Sequence, residues 1–298
     1  MSAAHDEKIG FIGLGNMGKG MAGRLLDAGF PLTVYDVATD RAAAFSKRGA
    51  KVAGSIKELA QQSEIIIAAV PDDAVLQSVV LGDNGVMAGA REGSILIVES
   101  TVSPKCASEV AAAVEKQGVK MLRAPVMGNP TQAAAGALII LVSGDKQSFE
   151  KCEKVFTLLG QKVHYVGANE EGLYIKLVHN MIVAGIVQSM AEAFTFGEKA
   201  GLDKHRMIEI ISDSPVSSVI LRHRGNLLDQ RNFNPAFHVW MLRKDIDFAI
   251  NAGYQVGSPM PTTALIRQFL NALEATGRGE LDCLALALLM EEQAGIKH

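Results

Sequence analysis

The sequence predicts a doubly wound, mostly parallel α/β sheet at the N-terminus and an all-α C-terminal domain, joined by one long helix. Three observations predict it. Short apolar runs alternate with helix-like stretches up to about residue 166, the pattern of a parallel sheet with helical crossovers. Strand signals nearly vanish after residue 170. Finally, 298 residues are long for a single core, so two domains are expected. The expected division is 1–166 for the sheet domain, 167–200 for the connecting helix and 201–298 for the helical domain.

The strands are expected at residues 8–12, 32–35, 65–69, 95–99, 120–123, 138–143 and 162–166. Most are continuous apolar runs rather than alternations, as strands covered on both faces require. Helical stretches at 20–28, 41–48, 55–62 and 105–117 fall between them. Ser103-Pro104 makes a good N-cap and first-turn pair for the last of these. Residues 171–200 read as one strongly apolar helix without proline, interrupted only by Gly185 and Gly197. Further helices are expected at 204–212, 220–228, 242–253, 261–276 and 283–294. No internal repeat or low-complexity segment occurs.

The strongest local motif is Gly13-x-Gly15-x-x-Gly18, which follows the first strand and opens the first helix. Gly13 permits the tight turn, Gly15 lets the backbone approach a pyrophosphate, and Gly18 lets the helix pack on its strand. The N–H groups at the helix start face the phosphates. This is the context of a Rossmann-type dinucleotide site. The second strand ends at Asp36, about 20 residues on, where an acid accepts hydrogen bonds from ribose hydroxyls and repels a 2′-phosphate. NAD is therefore favoured, while Arg41 close by leaves NADP open. The alternative for Asp36 is a plain turn opener.

Composition excludes several classes. Hydrophobic residues make up 48% and charged residues 20%, and the net charge is −3 without blocks of like charge. Neither a nucleic-acid surface nor a membrane surface is indicated. The N-terminal segment 1–8 is polar and lacks the apolar centre of a signal peptide, and no apolar run is expected to span a bilayer. Cys106, Cys152 and Cys283 are far apart and suit a reducing compartment, so a cytoplasmic protein is expected. No His, Asp, Glu or Cys grouping has metal-ligand spacing, and no metal is expected.

On the long helix, Lys176 and Asn180 are four residues apart and share a face among Leu173, Leu177, Val178 and Met181. Such a lysine either snorkels to water or sits in a partly dry cleft, where burial favours the neutral amine. In the second case it can take a proton from an alcohol as hydride leaves the adjacent carbon, with Asn180 holding the lysine or the hydroxyl. His179 points about 100° away and reads as packed or hydrogen-bonded. His238 beside Trp240 reads as structural, and the methionines as core filler.

Four ordered segments together resemble the β-hydroxyacid dehydrogenase family, which includes 3-hydroxyisobutyrate dehydrogenase and tartronate semialdehyde reductase. They are Gly10-Phe-Ile-Gly-Leu-Gly-Asn-Met-Gly18; Ala124-Pro-Val-Met-Gly-Asn129 with Ala134-Ala-Gly-Ala-Leu138; Gly167-Ala-Asn-Glu-Glu-Gly172 with Lys176 and Asn180; and Leu242-Arg-Lys-Asp-Ile246. 6-Phosphogluconate dehydrogenase shares the plan but has a much longer helical domain. The resemblance implies that Gly13, Leu14, Gly15, Asn16, Met17 and Gly18 form the cofactor loop, with Met17 at the nicotinamide end. It implies further cofactor contacts at Val70, Pro71, Thr101 and Lys244, and Lys176 as acid/base assisted by Asn180. For Lys244 the alternative is an ion pair with Asp245 or Asp247. Met127, Gly128, Asn129 and Phe237 fall in the substrate region, Phe237 alternatively being a core aromatic.

The substrate stretch departs from the family's usual Asp-Ala-Pro-Val-Ser-Gly-Gly. Here it reads Arg123-Ala-Pro-Val-Met-Gly-Asn129-Pro130, which loses a hydroxyl and, at Pro130, an N–H donor. Arg222, His223 and Arg224 are candidate replacement anion binders or a solvated helix face. The implied reaction is hydride transfer between NAD(H) and a small β-hydroxy acid or its semialdehyde. The alternatives are a carbonyl or imine reductase acting on an uncharged substrate, and a non-catalytic dinucleotide-binding protein. The apolar C-terminal helices lead us to expect a homodimer or homotetramer.

Overall fold

The computed structural model describes residues 6–297; the polar residues 1–5 of the expected leaderless N-terminus lie outside the described residues. The strands are β1 (Ile9–Ile12), β2 (Leu32–Tyr35), β3 (Lys51–Val52), β4 (Ile65–Ala68), β5 (Ile95–Val98), β6 (Lys120–Arg123), β7 (Val126–Met127), β8 (Leu138–Gly144) and β9 (Gly160–Gly167). The helices of the same region are α1 (Gly18–Asp27), α2 (Thr39–Ser46), α3 (Ile56–Gln62), α4 (Asp73–Leu81), α5 (Pro104–Glu115), α6 (Pro130–Ala135), α7 (Lys146–Lys151) and α8 (Glu153–Leu159). Then follow α9 (Glu171–Lys199), α10 (Lys204–Ser212), α11 (Val219–Asp229), α12 (Val239–Val256), α13 (Pro261–Ala275) and α14 (Leu286–Gln293). The chain divides into two compact units, and the boundary falls inside α9, between Lys176 and Leu177.

The first unit holds one nine-stranded sheet in the order β3-β2-β1-β4-β5-β6-β8-β7, with β9 paired to β8. The ladders from β3 to β6 are all parallel, and the direction first reverses where β6 meets β8. Alternate residues of each central strand enter separate cores. Ile9, Phe11, Ile67, Ile97 and Leu122 pack with Met21 and Leu25 of α1 and Phe156 of α8. Ile12, Ile66, Leu96, Val98 and Met121 pack on the other face with Leu59, Leu76 and Val110. Covering both faces is what makes these strands continuous apolar runs, and each buried Ile or Leu contributes about 1.5–3 kcal/mol. The sheet's carboxyl edge is therefore held rigidly, and it carries the glycine loop.

The second unit is helical. Val187, Met190 and Phe194 of α9 pack with Leu242 and Ile246 of α12, Ile266 and Leu270 of α13, and Leu286 of α14. One expectation needs correction here. α9 contains an 18-residue window of mean hydropathy at least 1.2, long and apolar enough to cross a bilayer. Because 44% of that window is buried inside the protein, the apolarity also fits a core helix lying against other helices.

Several short elements were absent from the sequence expectation. β3 and β7 are two residues each, too short to show a period. α4 begins after Asp72, whose carboxylate accepts the Val75 N–H, a start signal placed behind Pro71. α6 is opened by a capping box in which Asn129 accepts the Gln132 N–H and Gln132 bonds back to the Asn129 N–H. α7 is capped by Asp145 and runs almost directly into α8.

Candidate active site

At the end of β1 the chain turns at Gly13, whose φ is +93°, a region that strains any side chain. A Cβ on Gly13 would collide with the Ala69 carbonyl, and one on Gly18 with the Gly13 carbonyl. At Gly15, by contrast, a Cβ would meet nothing within 4 Å. The loop is thus tightly packed below and clear above. No side chain caps the start of α1, so the positive end of that helix is left for an anion. These features fit a dinucleotide pyrophosphate laid across Gly13–Gly18.

Asp36 lies just past β2 and is buried. Its carboxylate accepts the Leu14 N–H at 2.6 Å and the Ala38 N–H at 2.8 Å, and Arg41 stands 3.7 Å away. The residue expected to meet the ribose therefore also ties the glycine loop to the second strand, a task that sequence reading missed. Beyond β4, the Val70 N–H donates to the Ser100 hydroxyl at 2.7 Å, while Pro71 is exposed. Thr101 follows β5 and is half-buried. Ser103 caps α5 by accepting the Cys106 N–H and also bonds Asp73 through its N–H and hydroxyl. Ser103 is thus the N-cap that Ser103-Pro104 announced in the sequence.

Glu99 directly follows β5 and was not among the site residues expected from the sequence. It is 4% exposed, neither carboxyl oxygen has a hydrogen-bond partner among the described residues, and burial pushes its pKa up to about 8.

The substrate stretch is more structured than its resemblance to a binding loop suggests. Met127 lies in β7, where it pairs with Ile139 of β8. Gly128 has φ +147°, and Asn129 is committed through its side-chain oxygen and N–H to capping α6. Arg123, at the end of β6, bonds Glu170 at 2.6 Å in a nearly buried pair. Burial holds the Glu170 carboxyl above its ordinary value although Arg123 opposes this. The start of α9 is pinned to β8 by a Gly172 N–H to Ser143 hydroxyl bond of 3.2 Å. Lys176 is half-buried one turn further along.

In the helical unit, Asn180 is 1% exposed. Its amide nitrogen donates to Asp245 at 2.6 Å, and its oxygen lies 2.9 Å from Nδ1 of His179. His179 is thus hydrogen-bonded, as its position on the helix implied. Lys244 stands 3.1 Å from the same Asp245 and lies over the Phe248 ring at 5.0 Å. Asp247 is taken by Arg243 and Arg267. Asp245, which fixes the Asn180 amide, was the functional neighbour that sequence reading missed. Its partner lies 65 residues away, and only its place beside Lys244 hinted at it.

Phe237 is half-buried against the helical core, and its N–H donates to Asp282. His238 packs on Trp240 and bonds the Glu280 carbonyl region at 3.0 Å. Among the anion-binding candidates, Arg222 and His223 are exposed, whereas Arg224 is buried and paired with Asp282, which assigns it a structural role. Among the described residues no group of three or more His, Cys, Asp or Glu is placed to hold a metal ion.

Residues 8–167 match the family model for the NAD binding domain of 6-phosphogluconate dehydrogenase. Residues 171–290 match that for the NAD-binding of NADP-dependent 3-hydroxyisobutyrate dehydrogenase. The chain belongs to the β-hydroxyacid dehydrogenase family. It is 33% identical to the 2-hydroxy-3-oxopropionate reductase of Escherichia coli, covering 97% of this chain and 99% of that one. It is 31% identical to the 2-(hydroxymethyl)glutarate dehydrogenase of Eubacterium barkeri, covering 97% and 96%. The solved structure of a 3-hydroxyisobutyrate dehydrogenase from Salmonella typhimurium matches with a TM-score of 0.87 at 25% identity, covering 95% of this chain and all of that one. Family membership makes the protein an oxidoreductase of the hydroxyacid dehydrogenase type with an NAD(P) cofactor.

Proposed function

We propose that the protein transfers hydride between NAD(H) and a small β-hydroxy acid, interconverting it with the corresponding semialdehyde or ketone. The observation that carries the reading is Asn180, a fully buried amide held in one orientation by Asp245, four residues after the half-buried Lys176 on α9. When bound, the nicotinamide cofactor accepts or delivers the hydride. The chain's own residues do the rest. Gly13–Gly18 and the start of α1 hold the pyrophosphate, and Asp36 faces the ribose and disfavours a 2′-phosphate. Lys176, as the amine, takes the proton of the substrate hydroxyl; as the ammonium, it returns one to the nascent alkoxide. Asn180 and Lys244 orient the substrate and Thr101 the nicotinamide end, with Met127, Gly128, Asn129 and Phe237 shaping the substrate region. The chemistry of the two enzymes named above, a reductase and a dehydrogenase, supports this class of substrate.

The test pairs wild type with Lys176→Ala, each supplied with NAD or NADP and a panel of 3-hydroxy acids, short semialdehydes and neutral carbonyls. We expect turnover with NAD and an acid substrate, and a fall in kcat on the order of 10²–10⁴ in the variant with cofactor binding intact. An active Lys176→Ala enzyme would remove the assigned mechanism. A second reading, a carbonyl or imine reductase acting on uncharged substrates, is favoured by Met127 in β7 and by the commitment of Asn129 to α6. Faster turnover of neutral carbonyls than of acids would select it.

The reading extends to a homodimer or homotetramer in the cytoplasm. Val178, Ile182 and Phe196 leave apolar surface exposed along α9, which supports association. The three cysteines are unbridged and buried, which suits a reducing compartment. A monomer by light scattering at micromolar concentration would remove the association.

A further inference from the structure

The carboxyl edge of the sheet carries an acid that the proposed mechanism does not use. Phe11 pairs with Ile67, Ile67 with Ile97, and Ile97 with Leu122. Two residues further along each strand, side chains return to the same face, and the row there reads Gly13, Ala69, Glu99, Ala124. Three of the four carry a methyl group or less, and by this alternation Glu99 shares the face on which Ala69 and Ala124 pack with α1. Its neighbour in the row, Ala69, is the residue whose carbonyl a Cβ on Gly13 would strike. Glu99 is thus two strands along from Gly13, with Ala69 between them, and two residues before Thr101.

Among the described residues no charged side chain offsets it. Of the elements over this face, α1 carries Lys19 and Asp27, both exposed, and Arg24, half-buried near the Leu158 carbonyl. The titratable Glu153 and Lys154 of α8 are exposed, and α6 carries none. On the strands, Arg123 alternates to the opposite face and meets Glu170, while Asp36 is engaged at the end of β2. Burial alone moves the Glu99 carboxyl up, to about 8.

We propose that Glu99 is a proton-gated positioning residue for the dinucleotide: as the neutral acid it leaves the glycine loop at the start of α1 receptive to the pyrophosphate, and as the carboxylate it repels it. The proposal rests on the dinucleotide reading of the glycine loop. A buried charge two strands from the loop, partly screened by the protein, weakens binding of a diphosphate on the order of tenfold. By linkage, binding then draws a proton onto Glu99 near pH 8.

The experiment titrates NADH into wild type and Glu99→Gln between about pH 7 and about pH 9.5, following the fluorescence of the reduced nicotinamide. Calorimetry at about pH 8, in two buffers of different ionisation heat, counts the protons taken up. We expect the wild-type Kd to rise roughly tenfold across the range with net proton uptake, and the variant to show neither. A flat wild-type Kd, wild-type binding without proton uptake, or a Glu99→Gln variant that keeps the pH dependence would overturn the proposal. If the Gln variant does not fold, Glu99→Ala, which matches its row neighbours, takes its place. Failure to bind NADH or NADPH at any pH would instead overturn the cofactor reading itself.

Discussion

In the sheet-bearing unit Glu99 is buried with neither oxygen bonded among the described residues, whereas in the helical unit the buried Asp282 has both oxygens engaged. Asp282 accepts the N–H groups of Ala236, Phe237 and Leu284, and pairs with Arg224. Asp245 likewise holds Asn180, and Glu291 takes Arg231 and Lys204. The difference follows from the backbone. A parallel sheet satisfies its own N–H groups along the ladders, so Glu99, at the end of an interior strand, has no main-chain donor left to serve. Loops between helices leave such donors unpaired, and an acid reaching in from a distant segment organises them. Glu99 therefore destabilises the sheet where it stands, whereas Asp282, like Asp36 in the loop beyond β2, serves loop donors and holds its surroundings together.

The largest expected effect tests the helical side. Asp282→Ala leaves Arg224 and three N–H groups without their acceptor and should cost about 3–5 kcal/mol by denaturant unfolding. A loss below about 1 kcal/mol would break the contrast. On the sheet side the sign reverses. The Glu99 pKa of about 8 in the folded protein lies above its ordinary value of 4.5. Folding therefore retains a proton that the unfolded chain has lost, and this stability is lost as pH rises between those values. Glu99→Gln should thus gain on the order of 2–4 kcal/mol at about pH 8 and nothing at about pH 4. A variant less stable than wild type at pH 8 would show that the carboxylate does have a use in the fold.

The smallest effect sharpens the comparison. Burial pushes the Glu291 carboxyl up, but the hydrogen bonds and charges of Arg231 and Lys204 together outweigh it and hold it below its ordinary value. Its contribution is present above the unfolded-state pKa and lost as pH falls through the folded one. With Arg231 more than one-third exposed, Glu291→Gln should cost only about 1–2 kcal/mol at neutral pH. The cost should fade in acid, read from parallel unfolding curves.

Much of the sheet was legible because its strands are covered on both faces. The runs at 32–35 and 120–123 coincide with β2 and β6 to the residue. Ser103-Pro104 announced α5 through a cap that needs only local chemistry. The same kind of signal stood at Asn129-Pro130-Thr131-Gln132, yet the resemblance to a binding loop drew attention away from the helix it opens. Glu99 was illegible because it extends an apolar strand by one residue, and nothing in its neighbours shows that it points inward. Asp245 and Asp282 were hidden for another reason. Their partners Asn180 and Arg224 lie 65 and 58 residues away, beyond the reach of any local pattern.

Asp36 bears on how far the cofactor preference of this chain can be redesigned. The carboxylate proposed to face the ribose is also the acceptor for the Leu14 N–H inside the glycine loop and for the Ala38 N–H. Preference and loop shape are therefore not independent dials. Removing the acid to admit a 2′-phosphate also removes a tether of the surface on which both cofactors must rest, whereas Asp36→Asn keeps one acceptor for it. A variant that discards the Asp36 acceptor altogether must find a new anchor for Leu14.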